Sequence, residues 1–478
     1  MSMFETTTTT RVVRQIAFLP LVGIIFFSVS GGAYSLEALV SASGPGLALL
    51  LLLLVPVIYG IPIAAITTEL STAIPAEGGT YEWVKRSLGG FMAFQAGILR
   101  WVNSWVDMAI YPVLFAGYFS AIFPLAGDGQ VVLFSLGPFQ VDLQWVAGVV
   151  LVIIPMALLN IRGAKSVGDS ALLFSIFALL PLLIVSVLGI WRLVVEGTNP
   201  LVPFMPAGVE PASAIAVGLS VVMWCYCGFD RVGLIAGEIK DPGKTIPKAM
   251  IVSMIVIILA YSLPLIGALS VPGWEDWFAG SFSDVAMVLG GAWLGIFVTI
   301  GGMFCAIGLY SSLLMSSTRT PFVLSRDRWL TPALARQSRK TGSPVVSIIV
   351  CSIIYAFFTL GDFVDLVVLD VFLINLLLLL NLVALVVLRI KQPDLPRPTR
   401  LPWGWFGIAL VGVPLAASVL YLMYLQWVDY GMTALRILAV TLGLSTAAYF
   451  PARWYQKRQA PAASAAEPVS VSAPDSRP

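Results

Sequence analysis

The chain of 478 residues is 59% hydrophobic and only 11% charged, with a mean hydropathy of +0.94. Soluble globular proteins carry about 25% charged residues, so this composition excludes a soluble enzyme or binding module and is typical of a polytopic membrane protein. The net charge of +2 gives no indication of a nucleic-acid partner.

The four cysteines, Cys225, Cys227, Cys305 and Cys351, all lie in apolar segments, and the sequence contains no His. A disulfide framework or an ordinary zinc site is therefore not expected, and we interpret Cys225 and Cys227 as small packing residues. Because the apolar segments also contain no nucleophile–base pair, the sequence predicts neither an enzyme nor a bound metal or cofactor.

Apolar runs of about 20 residues, separated by loops, predict an all-α integral membrane protein with twelve membrane-spanning helices. In chain order, spans 1 to 12 are predicted near 15–41, 47–70, 89–124, 143–162, 168–191, 213–237, 248–271, 284–318, 344–361, 363–390, 404–426 and 431–452. Span 3 is long enough to be steeply tilted or to include a surface segment.

The distribution of basic residues orients these spans. Of the 27 Lys and Arg, 23 fall in the tails and loops on the side of the N-terminus, and Arg192 alone falls in an opposite loop. Cytoplasmic loops carry such an excess, so both termini are predicted to be cytoplasmic in a multi-pass protein of the plasma (inner) membrane. Two of these loops, 71–88 and 319–343, contain an amphipathic stretch and a basic surface segment.

Two of the spans are interrupted by Gly and polar residues. Span 1 contains SVSGGAYSLEA at 28–38, and span 6 contains WCYCGFD at 224–230. Lipid tolerates non-helical backbone only where protein or a water-filled cavity surrounds it. Paired broken spans in corresponding halves of a chain indicate the binding site of a transporter, although Gly also serves close helix packing. We therefore expect a solute beside these two breaks.

Acidic residues inside or at the boundaries of the spans are Glu37, Asp107, Asp230 and Asp370. A carboxylate at the bilayer centre costs about 2.5–3.5 kcal/mol on insertion scales, so it usually faces a cavity or a partner. Each has a structural alternative. Glu37 could cap a short helix or pair with a loop, and Asp230 could cap a helix. Asp107 could pair with Arg100 on the same helical face. Asp370 and Asp365 are expected at the extracellular rim.

Aromatic and backbone groups complete the candidate set. Trp224 and Tyr226 shortly precede Asp230, where they could cover a substrate or simply pack. The candidate substrate-binding residues are Ser30, Gly31, Gly32, Ala33, Glu37, Asp107, Trp224, Tyr226, Gly228 and Asp230. Without His, proton coupling must use carboxylates, Tyr or Lys, and we assign it to Asp230 and Glu37. The expected coupling ion is H+.

Five stretches in order resemble the amino acid–polyamine–organocation superfamily: SGGAYSLEALVSASGP (30–45), ITTELSTAIPAEGGTYEWVKRSLGGF (66–91), AGEIKDPGKTIPKA (236–249), STRTPFVLSRDRWLTPAL (317–334) and ALVVLRIKQPDLPRPTRLPWG (384–404). Within that superfamily, SGGAYSLEA, WVDMAIYPVLFAGY (105–118) and FDRVGLIAGEIKDP (229–242) are most similar to polyamine uptake transporters of the polyamine:proton symporter group.

The resemblance implies a fold of five plus five inverted repeats in which spans 1 and 6 are discontinuous and spans 11 and 12 are appended. The implied organisation is an N-terminal tail (1–14), a first repeat (15–192), a second repeat (213–390), two further helices (404–452) and a disordered tail (453–478), whose Ala/Pro/Ser-rich composition agrees.

The resemblance also implies acidic positions at Glu37, Asp107 and Asp230 and an aromatic gate at Trp224. The polyamine-type pattern has further acids where this chain has Ala38 and Gly117. The site is thus less acidic than that pattern, which leaves the choice between polyamines and amino acids open.

The sequence accordingly predicts a secondary active transporter that imports polyamines or amino acids across the plasma membrane with protons. One alternative is an exchanger of neutral or cationic amino acids, and another is a receptor that keeps the fold without transport. The expected partners are the small-molecule substrate and the lipid bilayer, with no nucleic acid. The oligomeric state stays open.

Overall fold

The computed structural model describes residues 14–30, 34, 36–126, 131–136, 139–277, 280–360, 363–430 and 432–459. The candidate residues Gly31, Gly32 and Ala33 lie outside the described residues, as does the tail from 460 onward.

The described part of the chain is almost entirely helical. Its α-helices, numbered in chain order, are α1 Phe18–Val29, α2 Glu37–Ser43, α3 Pro45–Ala73, α4 Thr80–Leu88, α5 Gly90–Ile122, α6 Leu143–Ile161, α7 Ala164–Glu196, α8 Pro211–Cys225, α9 Pro242–Ala268, α10 Ser281–Gly290, α11 Ala292–Ser317, α12 Arg319–Arg326, α13 Val345–Phe358, α14 Phe363–Lys391, α15 Gly404–Tyr430 and α16 Met432–Gln459. Single π-helical segments interrupt α3 and α6 at Pro56–Gly60 and Gly148–Ile153. Short 3-10 segments lie at Pro124–Ala126, Phe229–Glu238, Trp274–Asp276 and Pro332–Ala335.

Every predicted span coincides with one of these helices or with a pair of them. Nine helical segments of the described residues are long and apolar enough to cross a membrane: α3, α5, α6, α7, α9, α14, α15, α8 with the 3-10 segment that follows it, and α11 with α12. The apolar helices α1 and α13 are shorter, and α16 continues past the predicted end at 452. The protein is therefore a multi-pass membrane protein, while the count of twelve spans stays a prediction.

Spans 1 and 6 are both broken, as predicted, and the two breaks touch. Helix α1 ends at Val29, and α2 begins only at Glu37. Helix α8 ends at Cys225, and the chain resumes as a 3-10 segment after Gly228, whose φ is +102°. A Cβ on Gly228 would lie 2.1 Å from the backbone oxygen of Ser28. Only Gly allows this approach, so it fixes the two breaks side by side.

Helix α5 lies at the centre of the bundle. It packs against α11, α14, α4 and α13, while α7 packs against α11, α9 and α1. The polar side chains of α5 at Arg100, Asn103, Ser104 and Asp107 are all buried. Because α5 contacts helices from both halves of the chain, its polar face is placed to meet side chains of the broken span 6 and of α14.

Two features differ from the sequence-based expectations. Span 8 was predicted from 284, but Gly291 has a φ of +85° and separates the short helix α10 from α11. The loop before α6 forms an antiparallel hairpin of β1 Val132–Leu136 and β2 Phe139–Asp142. These short elements escaped prediction because helical hydropathy windows of about 20 residues do not resolve them.

Buried ion pairs tie together the end of the bundle that carries the basic loops. Arg319 on α12 donates through Nε to Glu238 at 2.7 Å. Arg389 on α14 binds Glu69 of α3 with two hydrogen bonds of 2.7 and 2.6 Å. The first bond joins α12 to the 3-10 segment of span 6, and the others join α14 to α3. Two of the stretches that resemble the superfamily, 236–249 and 317–334, are therefore in contact through Glu238 and Arg319.

Glu77, in the turn between α3 and α4, is a buried acid at this same end. Its burial and the nearby carboxylate of Glu238 raise its pKa to about 7, although Arg319 and Arg326 oppose the rise. A carboxyl whose pKa is higher in the folded than in the unfolded protein costs stability as the pH rises through this interval. We therefore expect Glu77→Gln to raise the thermal unfolding midpoint at about pH 8 and to change it little at about pH 5, where Glu77 is already neutral.

The exposed Glu275 provides the matched control, since Glu275→Gln should leave the midpoint unchanged at both pH values. Tryptophan fluorescence of the detergent-purified protein measures each midpoint. A stabilisation by Glu77→Gln that is the same at both pH values would contradict the raised pKa of Glu77.

Candidate functional site

Five charged side chains meet in the interior where α5, the break in span 6 and α14 come together. They are Arg100 and Asp107 from α5, Asp230 and Arg231 from the 3-10 segment, and Asp370 from α14. Each is between 1% and 3% exposed. Buried charges are stable only when other charges or hydrogen bonds compensate them, so the pairing within this cluster determines what it can bind.

The cluster is held by two ion pairs that cross between helices. Arg100 on α5 pairs with Asp230, and Arg231 donates to Asp107 on α5 at 2.7 Å. The expected alternative of an Arg100–Asp107 pair within α5 is therefore wrong. Seven residues place the two groups about 10 Å apart along a helix axis, too far for direct contact, so each reaches across to span 6.

The two paired aspartates differ in how many oxygens are free. Both oxygens of Asp107 already accept a hydrogen bond, because its second oxygen accepts one of 2.8 Å from the hydroxyl of Tyr111. Asp230 keeps Oδ1 buried and without a hydrogen-bond partner among the described residues. Gly228, not Asp230, precedes the 3-10 segment as its N-cap, so the capping alternative for Asp230 is not observed. Asp230 thus keeps an oxygen without a donor, whereas each oxygen of Asp107 already has one.

Asp370 lies in the interior, so the expectation of a residue at the extracellular rim is wrong. The side-chain amide of Asn103 donates to Asp370 Oδ1 at 2.6 Å and to its backbone oxygen at 3.3 Å. Helix α14 begins at Phe363, which puts Asp370 about two turns inside it. The side chain of Asp365 lies outside the described residues.

Glu37 is the acid of the other break, and it joins α2 to α10. Its Oε1 accepts backbone N–H groups of Gly280 and Phe282 at 3.2 and 3.3 Å, at the start of α10. A carboxylate is favoured at a helix N-terminus, which agrees with the alternative that Glu37 pairs with a loop. Its Oε2 is buried and has no hydrogen-bond partner in the part of the chain that the structure describes. Glu37 is therefore both a link between elements and a possible acceptor for a cation.

A cavity of about 480 Å³ is lined in part by Gly280, whose backbone N–H donates to Glu37. Its polar lining comes from Tyr118, Ser120, Gln144, Ser283 and Asp284, with Gly117 and Gly280. A Cβ on Gly117 would meet no described atom within 4 Å, so this Gly leaves open space where the polyamine-type pattern has an acid. The exposed Asp284 supplies negative charge to the same cavity, and the side chain of Ala38 lies outside the described residues. Glu37 itself is fully buried behind Gly280 and is not part of the cavity lining.

The aromatic candidates separate into two kinds. Tyr226 is fully buried, donates to the backbone oxygen of Leu52 at 3.0 Å and packs edge-on against Tyr261. These contacts place its side chain in the packing between helices. Trp224 is only half-buried and remains available to face a substrate.

Ser30 is fully buried at the end of α1, and its hydroxyl has no hydrogen-bond partner among the described residues.

The sequence analysis missed two residues that organise the site. Tyr261 on α9 donates to the backbone oxygens of Val29 and Cys225, the last residues of α1 and α8, at 3.3 and 2.8 Å. A lone Tyr in an apolar helix gives no sequence signal for this role. Asn103, which binds Asp370, does give one, because it is a polar residue on α5 between Arg100 and Asp107.

Two helices broken at touching points, with buried charges beside the breaks, define a secondary transporter built on an inverted repeat. The fold agrees with the crystal structure of MhsT in complex with L-phenylalanine, with a TM-score of 0.62 at 15% sequence identity, covering 87% of this chain and 99% of that chain. The predicted five-plus-five repeat with discontinuous spans 1 and 6 is confirmed at the level of the fold.

Residues 17–443 match the family described as amino acid permease. The polyamine transporter PUT1 of Oryza sativa subsp. japonica is 31% identical over 448 residues, which cover 91% of this chain and 79% of that protein. A probable polyamine transporter of Arabidopsis thaliana is 33% identical over 405 residues, covering 84% and 77%. The chain belongs to the amino acid permease family of the amino acid–polyamine–organocation superfamily, and the predicted family and transporter class are confirmed.

Proposed function

We propose that this protein imports polyamines across the plasma membrane together with protons. The observation that carries the proposal is 31–33% identity over most of the chain with proteins named as polyamine transporters. The interior acids support it, because Asp230 Oδ1 and Glu37 Oε2 are buried carboxylate oxygens beside the two breaks. Carboxylates inside a membrane usually face a cavity or a partner, and a cationic cargo would be such a partner.

In this proposal the cargo's ammonium groups bind the free carboxylate oxygens beside the two breaks. Asp230 Oδ1 and Glu37 Oε2 are both buried and without a hydrogen-bond partner among the described residues. A diamine, with an ammonium at each end, needs two such acceptors. Asp107, also expected to bind substrate, serves instead to hold Arg231, because both of its oxygens are occupied.

In the proposed function, Trp224, Ser30 and the backbone of Gly31, Gly32, Ala33 and Gly228 also line the binding site. A half-buried Trp face adds about 0.5–2 kcal/mol of attraction for a cation.

In this proposal both termini lie in the cytoplasm, because the basic residues concentrate in the loops on that side. No cofactor other than the coupling proton is needed.

A second candidate function is the exchange of amino acids, and one observation favours it. Arg100 and Arg231 each have Nε and Nη1 buried without a partner among the described residues. These groups could hold the carboxylate of an amino acid, which a polyamine lacks. The relatives at 31–33% identity are named as polyamine transporters, and we therefore place this function second.

Uptake into proteoliposomes separates the two functions. With an imposed inward pH gradient, we expect labelled putrescine to accumulate, spermidine to compete with it, and neutral amino acids to have no effect. Uptake of an amino acid that excess polyamine leaves untouched would overturn the polyamine proposal in favour of the second function. Binding of putrescine without any uptake would point to a receptor.

A further inference from the structure

We propose that Asp370 on α14 binds the coupling proton, a role that the sequence assigns to Asp230 and Glu37. This inference rests on the proposed proton coupling of transport. It concerns where the proton binds and holds for any cargo that the protein carries.

The ion pairs leave Asp370 as the uncompensated carboxylate of the cluster. Arg100 is committed to Asp230 and Arg231 to Asp107. Among the described residues, no cationic group lies within ion-pair distance of Asp370. An ionised carboxylate that is 1% exposed and lacks a counter-ion is costly in a membrane interior, and a single proton removes this cost.

The hydrogen bonding of Asp370 leaves one oxygen for that proton. Oδ1 accepts from the amide of Asn103 at 2.6 Å, a bond that forms whether or not the carboxyl group is ionised. Neither bond from Asn103 uses Oδ2. Proton binding at Oδ2 therefore forms a hydroxyl without breaking either of these bonds, and proton release restores the carboxylate.

The charged and titratable groups around Asp370 decide the balance between these two states. The charged groups nearest to it are Asp107 and Arg100 on α5 and Arg231 in the 3-10 segment. Further titratable groups that interact with Asp370 are Tyr111 on α5, Tyr59 on α3 and Cys227 at the break of span 6. Asp107 and Arg231 neutralise each other, as do Arg100 and Asp230, so an ionised Asp370 is the unbalanced charge of the cluster.

The position of Asp370 connects its protonation to helix packing. Helix α14 packs against both α5 and α4, and Asp370 binds α5 through Asn103. When Asp370 is neutral, the carboxylates and guanidinium groups of the cluster balance, and α14 rests against α5. When the proton leaves, an uncompensated charge lies in this contact and weakens it. Proton release on the opposite side of the membrane thereby favours the return of the carrier.

The test compares Asp370→Asn with the wild type in proteoliposomes whose membrane potential is clamped with potassium and valinomycin. For one coupled proton, an inward gradient of about one pH unit sustains up to about tenfold accumulation of cargo. We expect Asp370→Asn to lose this accumulation while it still exchanges internal for external cargo at a rate independent of pH. Asp169→Asn, which alters an exposed residue of α7, should behave as the wild type.

Gradient-driven accumulation by Asp370→Asn at the wild-type level would overturn the inference. If that variant neither accumulates nor exchanges cargo, Asp370→Glu provides the test. This variant keeps an acid on a longer side chain, so we expect it to retain proton influx, measured with an entrapped pH dye, but to shift the pH at which transport is half-maximal. An unshifted pH profile would overturn the inference. Failure of the wild type to transport polyamine would refute the proposed cargo only. The same comparison would then use the amino acid that the wild type accumulates.

Discussion

Replacing Asp107 by Asn should destabilise the folded protein by about 3–5 kcal/mol, because the change leaves Arg231 charged, buried and without its counter-ion. Arg231 is 3% exposed, and its ion pair with Asp107 spans 2.7 Å. Uptake should be lost as well, because the uncompensated guanidinium of Arg231 would repel a cationic cargo from the neighbouring Asp230. Unfolding in mixed micelles, followed by tryptophan fluorescence, measures the change in the free energy of unfolding.

The double variant Asp107→Asn with Arg231→Gln provides the sharper comparison. It removes both charges, and replacing a buried pair by neutral groups is often close to neutral in stability. We expect the double variant to recover most of the lost free energy of unfolding and a measurable part of uptake, since the proposed cargo does not bind Asp107. A stability of Asp107→Asn equal to that of the wild type would show that Arg231 has another partner.

Much of the fold could be predicted because membrane helices obey strong local rules. Each span is a run of apolar residues whose backbone must satisfy itself, so hydropathy alone locates it. The breaks at 28–38 and 224–230 were visible for the same reason, since Gly and acidic residues inside a span violate that pattern. The hairpin after α5 and the short helix α10 were not visible, because their residues are neither long apolar runs nor charged segments.

The pairing inside the site could not be predicted, although its members could. Arg100, Asp107, Asp230 and Arg231 all stand out as charges within apolar spans. Which guanidinium binds which carboxylate depends on how α5 crosses the 3-10 segment, and that crossing is set by packing between distant parts of the chain. Asp370 was misplaced for a related reason. The depth of Asp370 in the bundle depends on where α14 begins and on the contact of Asp370 with Asn103. The apolar pattern of span 10 encodes neither.

The second large expected effect is that of replacing Asp230. Its ion pair with Arg100 is as buried as the Asp107–Arg231 pair, but Asp230 is also proposed to bind the cargo. Asp230→Asn should destabilise the protein by about 3–5 kcal/mol, as Asp107→Asn does. The double variant Asp230→Asn with Arg100→Gln should again recover stability. Its uptake should stay at least about 100-fold below the wild type, because a charge-assisted hydrogen bond to the cargo worth about 1.5–3 kcal/mol is lost along with the attraction of the charge.

The comparison of the two double variants therefore separates structure from binding. Both remove one buried ion pair between α5 and span 6, so their stabilities should be similar, and only their uptake should differ. Equal recovery of uptake would mean that Asp230 Oδ1 does not bind the cargo, which would leave Glu37 as the remaining acid beside the breaks with a free buried oxygen among the described residues. Equal loss of uptake in the two double variants would mean that transport requires the charges of both ion pairs. A movement of span 6 against α5 during transport would create this requirement.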